Sequence, residues 1–300
     1  MGNRLFTVVV ALLWAITMSW LLMAKILPPF FGGEPPYLGS LLRQKIVCWE
    51  IECLEKPVGW AVSQVVPGTM GTTEVHSRVI VDDIPLREMA PQWMSSVVAN
   101  LGPIRLDMRN RVALDSLSQL TWFDTKVRLN EMPTVIKMLG RVKDSGLHVQ
   151  FETGDFSHEL RYPTPSKSML GGELTPDAKL LQMYVGRRWQ KEVYSPFRTP
   201  NQSIELVQAE VVAEETIHFD GDLIKTKRVD YRALPSAGVS EDDTLRARSW
   251  VADDGTVLRQ DVYMMNVRLR FNRKQDPQSQ KLAAELLDLE SVATAFNELP

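Results

Sequence analysis

Apolar and polar positions alternate along most of the chain beyond residue 45. Between 104 and 115, Ile104, Leu106, Met108, Val112 and Leu114 alternate with Arg105, Asp107, Arg109, Arg111 and Asp115, and Asn110 is the one polar residue on the apolar side. A period of two sends successive side chains to opposite faces of a strand, so one face is buried and the other solvated. The pattern recurs in Phe123, Val127 and Leu129 against Asp124, Lys126 and Arg128, and in Val75, Val79 and Val81 against Glu74, His76 and Arg78. It returns in Leu147–Phe151 and in Val267, Leu269 and Phe271 against Arg268 and Arg270. In the acidic stretch, Val207, Ala209, Val211, Ala213, Ile217 and Phe219 oppose Glu210, Glu214 and His218.

Turn chemistry separates these runs. Asp220-Gly221-Asp222 and Asp253-Asp254-Gly255 are hairpin signals, and Lys56-Pro57-Val58-Gly59 reads as a turn. A long succession of one-sided, hairpin-linked strands predicts a mainly β domain with a few helices. The expected architecture is a curved antiparallel sheet or incomplete β-barrel over residues 45–274, covered by helices.

Three short helices are expected. Met89, Trp93, Val97 and Leu101 recur at helical spacing over 85–100; Thr175-Pro176-Asp177 opens a helix to about Tyr184. The segment 275–300 carries Leu282, Leu286, Leu289, Ala293 and Phe296 on one stripe, the pattern of an amphipathic helix.

One stretch breaks the alternation altogether. Residues 5–24 carry no charge, and Thr7, Thr17 and Ser19 are their only polar members. A helix of roughly 20 apolar residues spans a bilayer core. A cleaved signal would have a shorter apolar region and a small residue three before the cleavage point, where Leu22 precedes Ala24. Residues 1–27 therefore read as an uncleaved transmembrane signal-anchor. Pro28, Pro29, Pro35 and Pro36, with Gly32 and Gly33, make residues 28–44 a stiff juxtamembrane spacer. Arg4 and the α-amino group favour a cytoplasmic N-terminus, which puts the remaining domain outside the cytoplasm at the cell membrane; Lys25, Arg43 and Lys45 pull the other way.

Composition changes the picture only once this segment is set aside. The chain has 34 Lys and Arg against 37 Asp and Glu, a net charge of −3. Arg4 and Lys25 are the only charges in 1–27, so the rest stands at −5. That excludes a dedicated nucleic-acid partner, which a basic domain would serve.

Charge is segregated, however. Residues 104–143 hold eight Lys and Arg against four Asp and Glu, whereas 203–222 hold six acidic residues and no basic one. Two readings stand: solvated outer faces that discourage edge pairing, or a basic face made of Arg105, Arg109, Arg111, Lys126 and Arg128 that meets anionic headgroups or an acidic partner.

Chemistry-bearing motifs are sparse. Cys48 and Cys53 lie at odd spacing in one strand, so they face opposite ways and read as structural thiols. The four histidines form no HxH, HxxxH or HExxH spacing, and His158 shares a face with Phe156, Leu160 and Tyr162, as an inward histidine would. No nucleophile elbow or phosphate loop occurs, so no catalytic residue, metal or cofactor is assigned. The apolar interior is rich in Met and Trp. Either it is a filled core, or Trp93, Val97, Trp122, Met183 and Met265 line a cavity for a lipid or acyl chain.

The strand succession with an inserted helix, the hairpin Trp250–Arg259 and the Val58-Gly59-Trp60 step resemble periplasmic lipoprotein-carrier-like half-barrels. They are also similar to β-rich regions that precede transglutaminase-like domains in bacterial envelope proteins. The resemblance covers about residues 45–272 and implies a sheet wrapped round apolar space that handles acyl chains or presents a surface to an envelope partner. The expected function is a non-enzymatic, membrane-anchored binding or scaffold module; the alternative is a hydrolase or transferase with a site assembled across strands.

Overall fold

The structure, a computed structural model, describes residues 2–21, 46–84, 104–116, 119–130, 136–143, 146–154, 156–163, 176–194, 204–234, 244–264 and 267–287. A helix α1 spans Gly2–Leu21 and is exposed from residue 10 to 21. Among the described residues no helix is both long and apolar enough to cross a membrane. The expected spacer 28–44, the expected helix over 85–100 and residues 288–300 of the expected C-terminal helix lie outside the described residues.

Among the described residues, fourteen strands form one antiparallel sheet that curves without closing. In chain order they are β1 (Val47–Cys53), β2 (Lys56–Pro67), β3 (Thr73–Ile84), β4 (Ile104–Leu114), β5 (Leu120–Leu129), β6 (Ile136–Lys143), β7 (Gly146–Thr153) and β8 (Phe156–Pro163). After these come β9 (Arg188–Tyr194), β10 (Ile204–Phe219), β11 (Asp222–Ala233), β12 (Leu245–Ala252), β13 (Val257–Met264) and β14 (Val267–Lys274). The chain meanders outward from β1 to one edge at β8, crosses to the other edge at β9, and meanders back until β14 pairs with β1. Residues 47 and 274 thus meet near the middle of the sheet, with Cys48 opposite Lys274.

One face carries the core. Trp49, Ile51, Val79, Met108, Val127, Val207, Val229, Val251 and Phe271 belong to one buried cluster. Phe123, Met138, Leu147 and Val149 form a second, joined to the first through Ile136. The opposite, outer face is covered locally by α2 (Pro277–Leu287), whose buried Ala283 packs with Cys48 and Val62. Asp276 caps this helix, accepting from the Ser279 N–H at 2.9 Å and from its hydroxyl at 2.6 Å. The two cysteines do face opposite ways: Cys48 lies in the outer cluster and Cys53 in the main core.

Four local expectations are corrected. The first turn lies at Leu54–Glu55, both at positive φ (51° and 62°), while Lys56–Gly59 opens β2. Arg268 and Arg270 hold the Glu55 carboxylate, which stabilises a left-handed turn at two residues that do not favour it. Residues 176–187 are not helical. They dock as a strap: the Leu180 N–H donates to the Gly255 carbonyl at 2.8 Å and the Val257 N–H to the Ala178 carbonyl at 3.3 Å, so hairpin pairing takes the backbone bonds a helix would need. In β10 a bulge between Val211 and Ala213 switches the face. Val207, Ala209 and Val211 enter the main core, while Ile217 and Phe219 pack on the outer side with Trp250 and Leu258. Finally, His158 is exposed, its ring stacked near Phe156 at 6.1 Å, rather than inward.

Candidate functional site

The outer face of β3, β4 and β5 carries charge in rows set by strand register. His76, Arg111 and Asp124 form one row across the three strands; Arg78, Arg109 and Lys126 the next; Ile80, Asp107 and Arg128 the third. Each row follows from period two, because the same strands send Val79, Met108 and Val127 to the core. At its far end β4 is tied to β5 by Asp115, whose carboxylate accepts from the Gln119 N–H at 2.8 Å.

These rows and the last turn of α2 bound a groove of about 240 Å³ lined by His76, Arg78, Arg109, Arg111, Asp124, Lys126, Arg128, Leu286 and Leu287. Arg78 builds its wall. The guanidinium donates through Nε and Nη2 to Asp107 at 2.9 and 2.8 Å, and through Nη1 to the Leu286 carbonyl at 2.8 Å. This bidentate pair seats the helix end on the sheet. Burial pushes the Asp107 carboxyl up, but the Arg78 bond and the nearby Arg78, Arg109 and Arg128 charges together hold it below the usual carboxylate range.

The remaining cations surround Asp124 and Asp107. Arg111 donates to Asp124 Oδ2 at 2.8 Å and lies 6.0 Å from the Trp122 ring centre. Lys126 Nζ stands 3.9 Å from the same carboxylate oxygen, and Arg109 Nε 3.9 Å from Asp107. Arg128 acts on Asp107 through space and makes no hydrogen bond or ion pair among the described residues. The groove lining thus sets five guanidinium or ammonium groups against one carboxylate, Asp124, while Asp107, outside the lining, pairs with Arg78. His76 borders it, its Nε2 2.9 Å from Glu74 with both residues buried.

Elsewhere on the outer face, cations share carboxylates: Arg228, Arg232 and Arg248 surround Asp230, and Arg268 and Arg270 surround Asp261. Asp230 accepts from Arg248 at 2.9 Å and Asp261 from Arg270 at 2.9 Å, rungs of one ladder across β11–β14. The acidic stretch on β10 is answered by Arg188 at Glu210, Lys225 at Glu214 and Arg228 at Glu215. A solvated face of paired charges explains that half of the sheet. It does not explain why the cations of β3–β5 converge on a groove.

Of the expected basic face, Arg109, Arg111, Lys126 and Arg128 converge on the groove. Arg105 does not: it reaches Asp82 at 3.0 Å, and both side chains are more than half exposed. Arg78, Leu286 and Leu287 were not foreseen, because they come from strands and a helix far away in sequence. Of the expected apolar-cavity residues, Met183 packs against the main core. Trp122 instead sits on the outer face under Arg111, one position from the inward Phe123, so the two do not line one cavity. Trp93, Val97 and Met265 lie outside the described residues. Among the described residues no group of three or more His, Cys, Asp or Glu is placed to hold a metal.

The described residues form an open, curved antiparallel sheet with a cation-lined groove on its outer face. The chain is similar to a β-barrel-like protein of the domain of unknown function DUF1849 from Brucella abortus, with 8% identity and a TM-score of 0.46 over 77% of this chain and 95% of that one. It is also similar to a DUF1089 family protein from Pseudomonas aeruginosa, with 13% identity and a TM-score of 0.33 over 67% and 88% of the two chains. Neither likeness connects the chain to a lipoprotein carrier or a transglutaminase. No protein-family model and no curated protein matches it.

Proposed function

We propose that the protein is a non-enzymatic binding module of the cell envelope, anchored by residues 1–27 with its β domain outside the cytoplasm, and that it holds an anionic partner in the β3–β5 groove. The observation that carries this reading is one groove lined by five cations, Arg78, Arg109, Arg111, Lys126 and Arg128, and by a single carboxylate, Asp124. Field lines concentrate in a concave site lined by one sign of charge, which favours anions over a flat charged surface. Leu286 and Leu287 add an apolar rim beside the cations, suited to a partner that is part charged and part apolar.

The binding test uses the full chain in neutral detergent, titrated calorimetrically with micelles doped with an anionic phospholipid. Binding is expected at about 0.05 M salt, weakening strongly at about 0.5 M, where the Debye length shrinks several-fold. Replacing Arg109, Lys126 and Arg128 together by Glu should abolish it. Salt-independent binding, or binding that survives the triple replacement, overturns the reading. The topology is tested by fusing residues 1–45 to a reporter active only outside the cytoplasm: an inactive fusion reverses the orientation.

A further inference from the structure

Asp124 is the residue in the groove that a simple anion site would omit. It is 9% exposed and stands amid the cations. Its Oδ2 accepts from Arg111, but its Oδ1 is buried with no hydrogen-bond partner. A buried carboxylate oxygen left without a donor is costly, and native structures rarely leave one so unless something fills the gap. The neighbouring cationic row, Arg109 and Lys126, lies two residues along the strands, a step of about 6.8 Å. The groove thus offers an anion seat and, one step away, an acceptor for a donor.

We infer that the groove's ligand is a phosphate ester carrying its own hydroxyl or ammonium donor, as in a phosphoglycerol or phosphoethanolamine headgroup. The phosphate sits on Arg109, Lys126 and Arg128, and the donor bonds to Asp124 Oδ1. This deepens the anion-binding reading and rests on it. Asp124 acts here as a specificity element: it weakens the hold on any plain anion through like-charge repulsion and returns that loss only to a ligand that brings a donor. Its bond to Arg111 also fixes the carboxylate, so the acceptor is pre-oriented.

The test compares matched pairs of equal charge on the full chain in neutral detergent. Glycerol phosphate is set against methyl phosphate, and micelles doped with phosphatidylglycerol against micelles doped with phosphatidylmethanol. The donor-bearing member of a pair should bind about tenfold tighter, the worth of one hydrogen bond to a charged group. In Asp124→Asn the preference should fall to near unity while methyl phosphate and phosphatidylmethanol bind more tightly than to the parent chain. Arg128→Ala should weaken both members of a pair equally. A preference among the soluble esters identifies a free phosphate ester as the ligand; a preference confined to the doped micelles identifies a lipid headgroup. Equal binding within both pairs by the parent chain overturns the inference and leaves anion binding standing, as does an unchanged preference in Asp124→Asn. No binding of any of the four removes anion binding itself.

Discussion

Arg273 on β14 faces Trp49 on β1 across the centre of the sheet, its guanidinium carbon 5.7 Å from the ring centre, on the core side. Nη1 donates to the Ala178 carbonyl at 2.8 Å and, more weakly, to the Val257 carbonyl at 3.4 Å. Burial lowers the Arg273 pKa, and the Asp254 charge opposes the shift. One cation therefore joins the first strand, the last strand, the β12–β13 hairpin and the strap 176–187. Arg273→Met should cost about 1–3 kcal/mol through loss of these bonds. Native-state hydrogen exchange at Leu180 N–H should rise more than at Val229 N–H in the same variant. Equal protection at both would mean the strap does not depend on Arg273.

Two glycines allow close approaches that no other residue permits. A Cβ on Gly59 would stand 2.0 Å from the Ile80 carbonyl oxygen, and one on Gly140 2.1 Å from the Phe123 ring. Backbone gives way less readily than a side chain. Gly59→Ala should therefore destabilise by more than about 3 kcal/mol, and Gly140→Ala by about 1–3 kcal/mol. Urea unfolding measures both. Adding Phe123→Leu to Gly140→Ala should recover part of the loss, because Leu vacates the space the new methyl needs; no recovery would place the strain elsewhere.

The Arg78–Asp107 pair makes the seat of α2 acid-sensitive. Because the folded-state pKa of Asp107 is depressed, its stabilisation is fully present above the unfolded value of about 3.8 and is lost as pH falls through the lower folded value. Between pH 7 and 5 this contribution should be flat. Below about pH 4 the parent chain should lose stability more steeply than Asp107→Asn, which has no proton to take up at this position. Parallel pH profiles for the two chains would contradict the assignment.

Neither cysteine should react while the protein is folded. Cys48 is fully buried, and burial, reinforced by the Asp276 charge, pushes its thiol up to about 12. Cys53 is 3% exposed in the main core. Iodoacetamide at about pH 8 should label neither thiol in native protein and both in urea, since only the thiolate attacks. Native labelling of Cys48 would show that α2 lifts from β1 and β2.

Much of the sheet was legible along the chain, because period two is a local property. Ile104–Leu114, Leu120–Leu129, Gly146–Thr153 and Val267–Lys274 are strands where alternation predicts them. Asp220-Gly221 forms the expected hairpin, both residues at positive φ. Pro277 opens the expected C-terminal helix. The basic face could be read for the same reason, since Arg109, Arg111, Lys126 and Arg128 share one side of two adjacent strands.

Alternation fails where one extra residue intrudes. The bulge after Val211 moves Ile217 and Phe219 to the other face, and nothing in the hydrophobic pattern marks it, because the apolar alternation runs on in step through Ala213, Ile217 and Phe219. The strap 176–187 carries helix-opening residues, yet its backbone bonds go to Gly255 and Val257, partners about 75 residues away in the chain. The groove depends on tertiary structure most of all. Arg78 and the end of α2 reach Arg109 and Arg128 only because β3 pairs with β4 and the helix folds back over the sheet. What the sequence by itself determined was which residues face which side of each strand; register and helix docking decided which of them meet, because those contacts lie between segments whose local patterns carry no information about one another.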